Sequence, residues 1–158
     1  RLNKLVLMAP IPAGGGQGEP DPEYIEARLK ARRDNNRDFF KADMLAPRFR
    51  PDVQTDDWFE SRVDHLMRVS EGHLLGSMRS MFALRAADKL AEINVPTMML
   101  AGSVDALLAS NIEDYRALPH ATLQVFAHAG HEVAIHEPDG VSDAIDKFMQ
   151  YGVVDITA

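Results

Sequence analysis

Apolar and polar residues repeat with two different periods along this chain, and the switch between them marks its organisation. Leu5, Val6, Leu7 and Met8 are consecutive apolar residues within Leu2–Ala9, and Pro10 and Pro12 follow. A short apolar run closed by prolines reads as a strand. Val95–Ala101 is a second such run, almost wholly apolar, as expected of a parallel strand buried on both faces. Pro96 stands at its start, where a missing N–H does least harm. Thr122–Phe126 alternates more and reads as a third strand. Between the second and third strands the pattern predicts a helix over Asn111–Leu118, with Ser110 as N-cap and Glu113 completing a capping box. After Pro138, the residues Val141, Ala144, Ile145, Phe148 and Met149 recur at helical spacing and predict one apolar helix face.

Residues 13–88 carry the other period. Asp21-Pro22 is a helix start, a capping Asp followed by Pro at the first helical position. The pattern predicts one helix from there to about Met44, with Tyr24, Ile25 and Leu29 on one face and Phe39 and Phe40 later; Pro47 and Pro51 break it. A second helix follows Thr55, with Asp56 and Asp57 in its first turn, where the dipole favours them, and Phe59, Val63, Leu66 and Met67 inward. Beyond Gly72 a third carries Leu74, Leu75, Met78, Met81, Phe82 and Arg85. The glycines between Ala13 and Pro20 read as a hinge, because a phosphate loop opens directly into a helix and here Glu19, Pro20 and Asp21 intervene. The predicted class is α/β: about three parallel strands with flanking helices and a helical insertion. Its segments are a core strand over 1–12, the insertion over 13–88 and a strand–helix core over 89–158.

Two loops in the last segment carry candidate chemistry. Asp105 follows Gly102 by three residues, after the second strand, and His131 follows Gly130 directly, after the third. Sites in open parallel sheets gather at the carboxyl ends of the strands, so neighbouring strands place both side chains on one edge. A carboxylate beside an imidazole sets its tautomer and stabilises the imidazolium formed on proton uptake. Adjacent strands require the Asp105 carboxylate within about 2.6–3.2 Å of a ring nitrogen of His131. His128, His131 and His136 cluster with Glu132 and Glu137, yet His131-Glu132…His136 is one residue too long for the zinc helix H-E-x-x-H. No metal is therefore expected there. His65 and His73 read as surface or capping residues.

Val95-Pro96-Thr97-Met98-Met99-Leu100-Ala101-Gly102-Ser103-Val104-Asp105-Ala106-Leu107-Leu108 and the segment from Ala129-Gly130-His131 to Phe148-Met149 resemble the C-terminal part of the α/β-hydrolase superfamily. Leu2–Ala9 is similar to the strand that follows the family's nucleophile helix. The resemblance covers the two ends of the chain, roughly half of it. It implies that Asp105 is the acid and His131 the base of a Ser-His-Asp triad. The family's Gly-x-Ser-x-Gly elbow precedes the strand at Leu5, so the serine and the oxyanion donors are expected outside this sequence. Gly76-Ser77-Met78-Arg79-Ser80 is the nearest string, but it lacks the second glycine and falls in a helical pattern. The helical insertion stands where the family inserts a cap. The resemblance then makes Phe39, Phe40, Met44, Trp58, Met67, Met78 and Met81 candidates to line an apolar substrate pocket, the alternative being that they form the core of the helical layer. Family members include esterases, lactonases, amidases, C–C hydrolases and haloalkane dehalogenases, and the sequence does not choose among them.

Composition narrows the partners. The 158 residues carry a net charge of −7, and the basic run Arg28, Lys30, Arg32, Arg33 is interleaved with Glu23, Glu26, Asp34 and Asp38. No basic stripe remains to neutralise phosphates, so nucleic acid is not expected. There is no cysteine, which excludes disulfide and thiol chemistry, and no run of eighteen apolar residues, so no membrane contact is expected. The expected setting is cytoplasmic, with no cofactor. Expected partners are a small apolar ester-like substrate and, because Leu5–Met8 lacks edge protection, either a second copy or a complementing chain. Two readings follow: part of an esterase-like hydrolase, or a non-catalytic truncated relative acting as a dimeric interaction or ligand-binding module.

Overall fold

The computed structural model describes residues 2–16, 18, 20–45, 48 and 50–153. Its centre is β2, Thr97–Gly102, buried at every position. On one side β2 pairs in parallel with β1, Leu5–Met8, and on the other with β3, Ala121–Phe126. The sheet order is β1-β2-β3 and the register aligns Leu7, Met99 and Leu123. Alternation along the strands sends Met98 and Leu100 to one face and Met99 to the other. The first face packs with Ala9, Phe126, Ala129, Val133, Val141, Ala144 and Phe148. The second packs with Ala13, Leu90 and Leu118, and with the partly buried Leu7, Ile93, Tyr115 and Leu123. A strand covered on both faces is apolar along most of its length, which is why β2 shows no polar alternation; its polar side chain, Thr97, is buried and donates its hydroxyl to the Val95 carbonyl at 3.0 Å. Fully burying each of Leu100 and Met99 is worth about 1.5–3 kcal/mol.

The remaining elements are α1 (Pro22–Arg33), α2 (Arg37–Leu45), α3 (Asp56–Arg68), α4 (Glu71–Ala83), a 3-10 segment over Ala87–Glu92, α5 (Leu108–Ala117), α6 (Val133–His136) and α7 (Pro138–Tyr151). By internal contacts the chain forms two compact units: Arg1–Gly15 with Leu84–Ala158, and Gly16–Ala83. The first holds the sheet and the second holds α1–α4.

In the helical unit, Asp21 accepts the Glu23 N–H at 2.9 Å and Pro22 opens α1, as the sequence predicts. Thr55 accepts the Trp58 N–H at 3.2 Å and starts α3. The single helix expected from Asp21 to Met44 is instead two. Asn35 turns left-handed at φ 53°, and the amides of Asn35 and Asn36 reach back to the carbonyls of Arg32 and Ala31. This is a Schellman closure with asparagine in the glycine position. Asn36 then accepts the Phe39 N–H at 3.2 Å and starts α2. Ala31, Phe40 and Val63 form the core of this unit, with Phe39, Met44, Leu66 and Met67 packed against it. Pro47, the expected breaker, lies outside the described residues. The third helix stops at Ala83; Arg85 lies beyond it and donates to the Gly14 carbonyl at 3.1 Å.

Two expectations for the sheet unit are also corrected. The helix predicted over Asn111–Leu118 begins earlier, at Leu108, so Ser110 lies inside it and forms no capping box with Glu113. On α7, Val141, Ala144 and Phe148 are buried, but Met149 is exposed and does not belong to the apolar face.

Candidate functional site

The parallel register carries the ends of β2 and β3 to the same edge of the sheet, since Gly102 pairs with Phe126. Beyond that pair the two loops stay joined. The Ser103 N–H donates to the Phe126 carbonyl at 2.9 Å, the Val104 N–H to the Ala129 carbonyl at 3.2 Å, and the Ser103 hydroxyl to the Ala127 carbonyl at 2.6 Å. A side chain on Gly102 has no room: a Cβ there would sit 2.2 Å from the Ala129 oxygen and 2.4 Å from the Gly130 oxygen, both backbone. Glycine at 102 therefore lets the two loops lie against each other.

From these loops Asp105 and His131 meet. The Asp105 Oδ2 lies 3.1 Å from the His131 Nδ1. The other carboxylate oxygen, Oδ1, accepts the Leu107 N–H at 3.0 Å, one of the free amides at the start of α5. Both oxygens are thus committed, and the carboxylate cannot rotate without losing a bond. The Asp105 side chain is 3% exposed and that of His131 is 58% exposed. A carboxylate only accepts, so the ring donates from Nδ1, and in the neutral ring the lone pair is then on Nε2. Such a pair can take up a proton at Nε2 and hold the resulting imidazolium against a fixed negative charge.

The loop after His131 is equally constrained. Glu132 leads into the single turn α6, where Val133 and His136 are buried. The His136 Nδ1 accepts the Gly130 N–H at 3.1 Å. His128 is exposed. Among the described residues no group of three or more His, Asp or Glu side chains is arranged to hold a metal ion.

The candidate substrate-binding residues all lie in the helical unit. Phe40 is buried in that unit's own core, in edge contact with Phe39 at 5.5 Å between ring centres. Met44 packs against the same core. Trp58 stands edge-on to Phe59 at 4.9 Å, with Arg62 over its ring at 5.5 Å, and Met78 is half-buried on α4. Ser77, from the string nearest to a nucleophile elbow, lies inside α4 and donates to the Leu74 carbonyl at 3.1 Å. Helix-interior hydroxyls bond back in this way, and the position is not a strand-to-helix turn.

Sequence reasoning passed over Gly102, Ser103 and His136 as parts of this site. Gly102 was legible only as the end of a strand. His136 stood in view beside His131, but its partner is a backbone amide, which leaves no mark on a residue pattern.

The sequence profile described as "Alpha/beta hydrolase family" matches residues 1–144. No curated protein matches the chain significantly. Among solved structures, a bromoperoxidase from Bacillus anthracis superposes with a TM-score of 0.77 at 17% identity, covering 94% of this chain and 58% of the other. An enol-lactonase from Burkholderia xenovorans LB400 gives 0.75 at 16% identity, covering 95% and 57%. A thermophilic esterase from Thermogutta terrifontis gives 0.71 at 20% identity, covering 95% and 56%. The chain thus spans a little over half the length of each of these structures. Among the described residues no helix is long and apolar enough to cross a membrane.

Proposed function

The chain belongs to the alpha/beta hydrolase family, and from that premise we propose that it supplies the acid and the base of an esterase-like Ser-His-Asp hydrolase. Family membership supports hydrolysis in general; the ester substrate and the triad are our reading. The observation that carries it is the 3.1 Å contact of Asp105 Oδ2 with His131 Nδ1, with Oδ1 held by the Leu107 amide. A serine outside this sequence would attack an ester carbonyl while His131 Nε2 takes its proton. The imidazolium, steadied by Asp105, would then return that proton to the leaving alcohol, and water would release the acyl group by the same route. Phe39, Met44, Trp58 and Met78 are the proposed source of affinity for an apolar substrate, with Phe40 supporting them from the core of the helical unit.

The test has two arms. The chain by itself is expected to hydrolyse a nitrophenyl ester no faster than buffer, because a base with no positioned nucleophile or oxyanion donors keeps little of the rate. A polypeptide extended through the reading frame upstream of Arg1 is expected to turn the ester over and to lose that activity by about 10³-fold or more with His131→Ala. Turnover by the short chain that His131→Ala abolishes would refute the reading, as would an active longer protein indifferent to that substitution.

One observation favours the alternative, a dimeric non-catalytic module. Among the described residues β1 has no partner on its outer side, and Leu2, Met8 and Ile11 near it are exposed. An open apolar edge invites another strand. Light scattering at micromolar concentration is expected to report a dimer for that module; a compact monomer of 17.5 kDa whose Leu5–Met8 amides exchange slowly would exclude it.

A further inference from the structure

We propose that His136 is the positioning residue of the catalytic base, holding the backbone on both sides of His131 through two different atoms. Its ring Nδ1 accepts the N–H of Gly130, the residue before His131, at 3.1 Å. Its own backbone N–H donates to the carbonyl of Glu132, the residue after His131, at 3.0 Å. The residue is 3% exposed. His131 itself is largely exposed and makes one side-chain contact of this kind, to Asp105. Packing of its own ring therefore does little to aim it. What fixes its direction is the placement of residues 130 and 132, and His136 touches both.

The chemistry requires a histidine in one state. A nitrogen that accepts an amide proton carries none itself, so the neutral ring of His136 bears its hydrogen on Nε2. The two histidines thus use opposite tautomers five residues apart. His131 donates from Nδ1 to a carboxylate, and His136 accepts at Nδ1 from the backbone. The Nδ1 of His136 is thereby spent on a backbone amide inside the protein. A residue with no acceptor at that point would leave the Gly130 amide buried without its partner.

This inference rests on the proposed role of His131, but its test needs no turnover. Nitrogen-15 spectra of the chain report the tautomer of each ring, and hydrogen exchange reports the Gly130 amide. In the unmodified chain, Nδ1 of His136 is expected to resonate as an unprotonated acceptor and Nδ1 of His131 as a protonated donor. His136→Phe removes the acceptor and keeps a ring. It is expected to speed Gly130 exchange by about tenfold and to erase the His131 donor signal. His136→Asn returns an acceptor close to the same point and is expected to restore both. A proton found on Nδ1 of His136 in the unmodified chain would overturn the proposal, even if the Phe variant does not fold. So would a folded Phe variant that keeps the His131 signal, or a folded Asn variant that loses it. An inactive longer protein with these signals intact would overturn the hydrolase reading, and with it the catalytic role of His131, while the hold of His136 on the Gly130 amide would stand.

Discussion

The two units of this protein are held together in different ways, and the difference shows in what each tolerates. In the sheet unit the neighbours are distant in sequence. Leu100 and Met99 pack between residues drawn from both ends of the chain, and backbone meets backbone where Gly102 lies against Ala129 and Gly130. In the helical unit the buried apolar residues are Leu29, Ala31, Phe40, Phe59 and Val63, and the surface is laced with ion pairs. Arg37 bridges Glu60 and Asp64, Arg33 bridges Glu26 and Glu71, Arg28 meets Asp43, and Lys41 meets Glu60. The first arrangement is rigid because its contacts are close-packed and cannot relax independently. The second is adjustable, since long exposed side chains exchange partners for water at little cost. The proposed acid and base sit in the rigid unit, and the proposed substrate contacts sit in the adjustable one.

Glycine substitutions test this contrast most sharply. Gly102→Ala forces a Cβ into backbone carbonyls that cannot move without breaking the joined loops. We expect a loss of about 3 kcal/mol or more, read as a lower urea midpoint, together with loss of the His131–Asp105 contact. Gly76→Ala, inside α4 with nothing within 4 Å of the added carbon, should instead stabilise by about 0.5–1 kcal/mol. Equal effects at the two positions would break the comparison.

Acid should separate the units by a smaller margin. Hydrogen bonds from Lys41 and Arg37 hold Glu60 below its ordinary 4.5, two from Arg33 do the same for Glu71, and Arg50 holds Asp52 below 3.8. A depressed carboxylate binds fewer protons folded than unfolded, so its contribution is complete above the ordinary value. It fades as pH falls through the lower folded value. On the basic side Arg37 and Lys41 are raised by donating those same hydrogen bonds to Glu60, so their share is complete below their ordinary values and is lost only as pH rises through the higher folded ones. Trp58 is the one tryptophan and lies in the helical unit, so its fluorescence reports that unit alone. Between about pH 5 and 3 its unfolding midpoint should fall before protection of the Met99 and Leu100 amides does. Earlier loss at β2 would reverse the assignment of rigidity.

The sequence by itself determined the order of the three strands, the parallel class of the sheet and the two loops that carry Asp105 and His131. These follow from local rules: apolar runs bounded by Pro and Gly, periods of two and of 3.6, and the capping Asp21 and Thr55 before α1 and α3. Only the tertiary structure decided the rest. The break at Asn35 needed a left-handed residue that the apolar spacing on either side concealed. The start of α5 moved to Leu108 because Asp105 takes the Leu107 amide, so one carboxylate serves both the helix and the histidine. Met149 fell on the helical stripe but found nothing to cover it. Gly102 and His136 became parts of the site because backbone atoms close in sequence to His131 lie against them. Periodicity records which face a side chain takes along its own element, whereas contact between backbones of different loops depends on register and twist, and those exist only once the chain has folded.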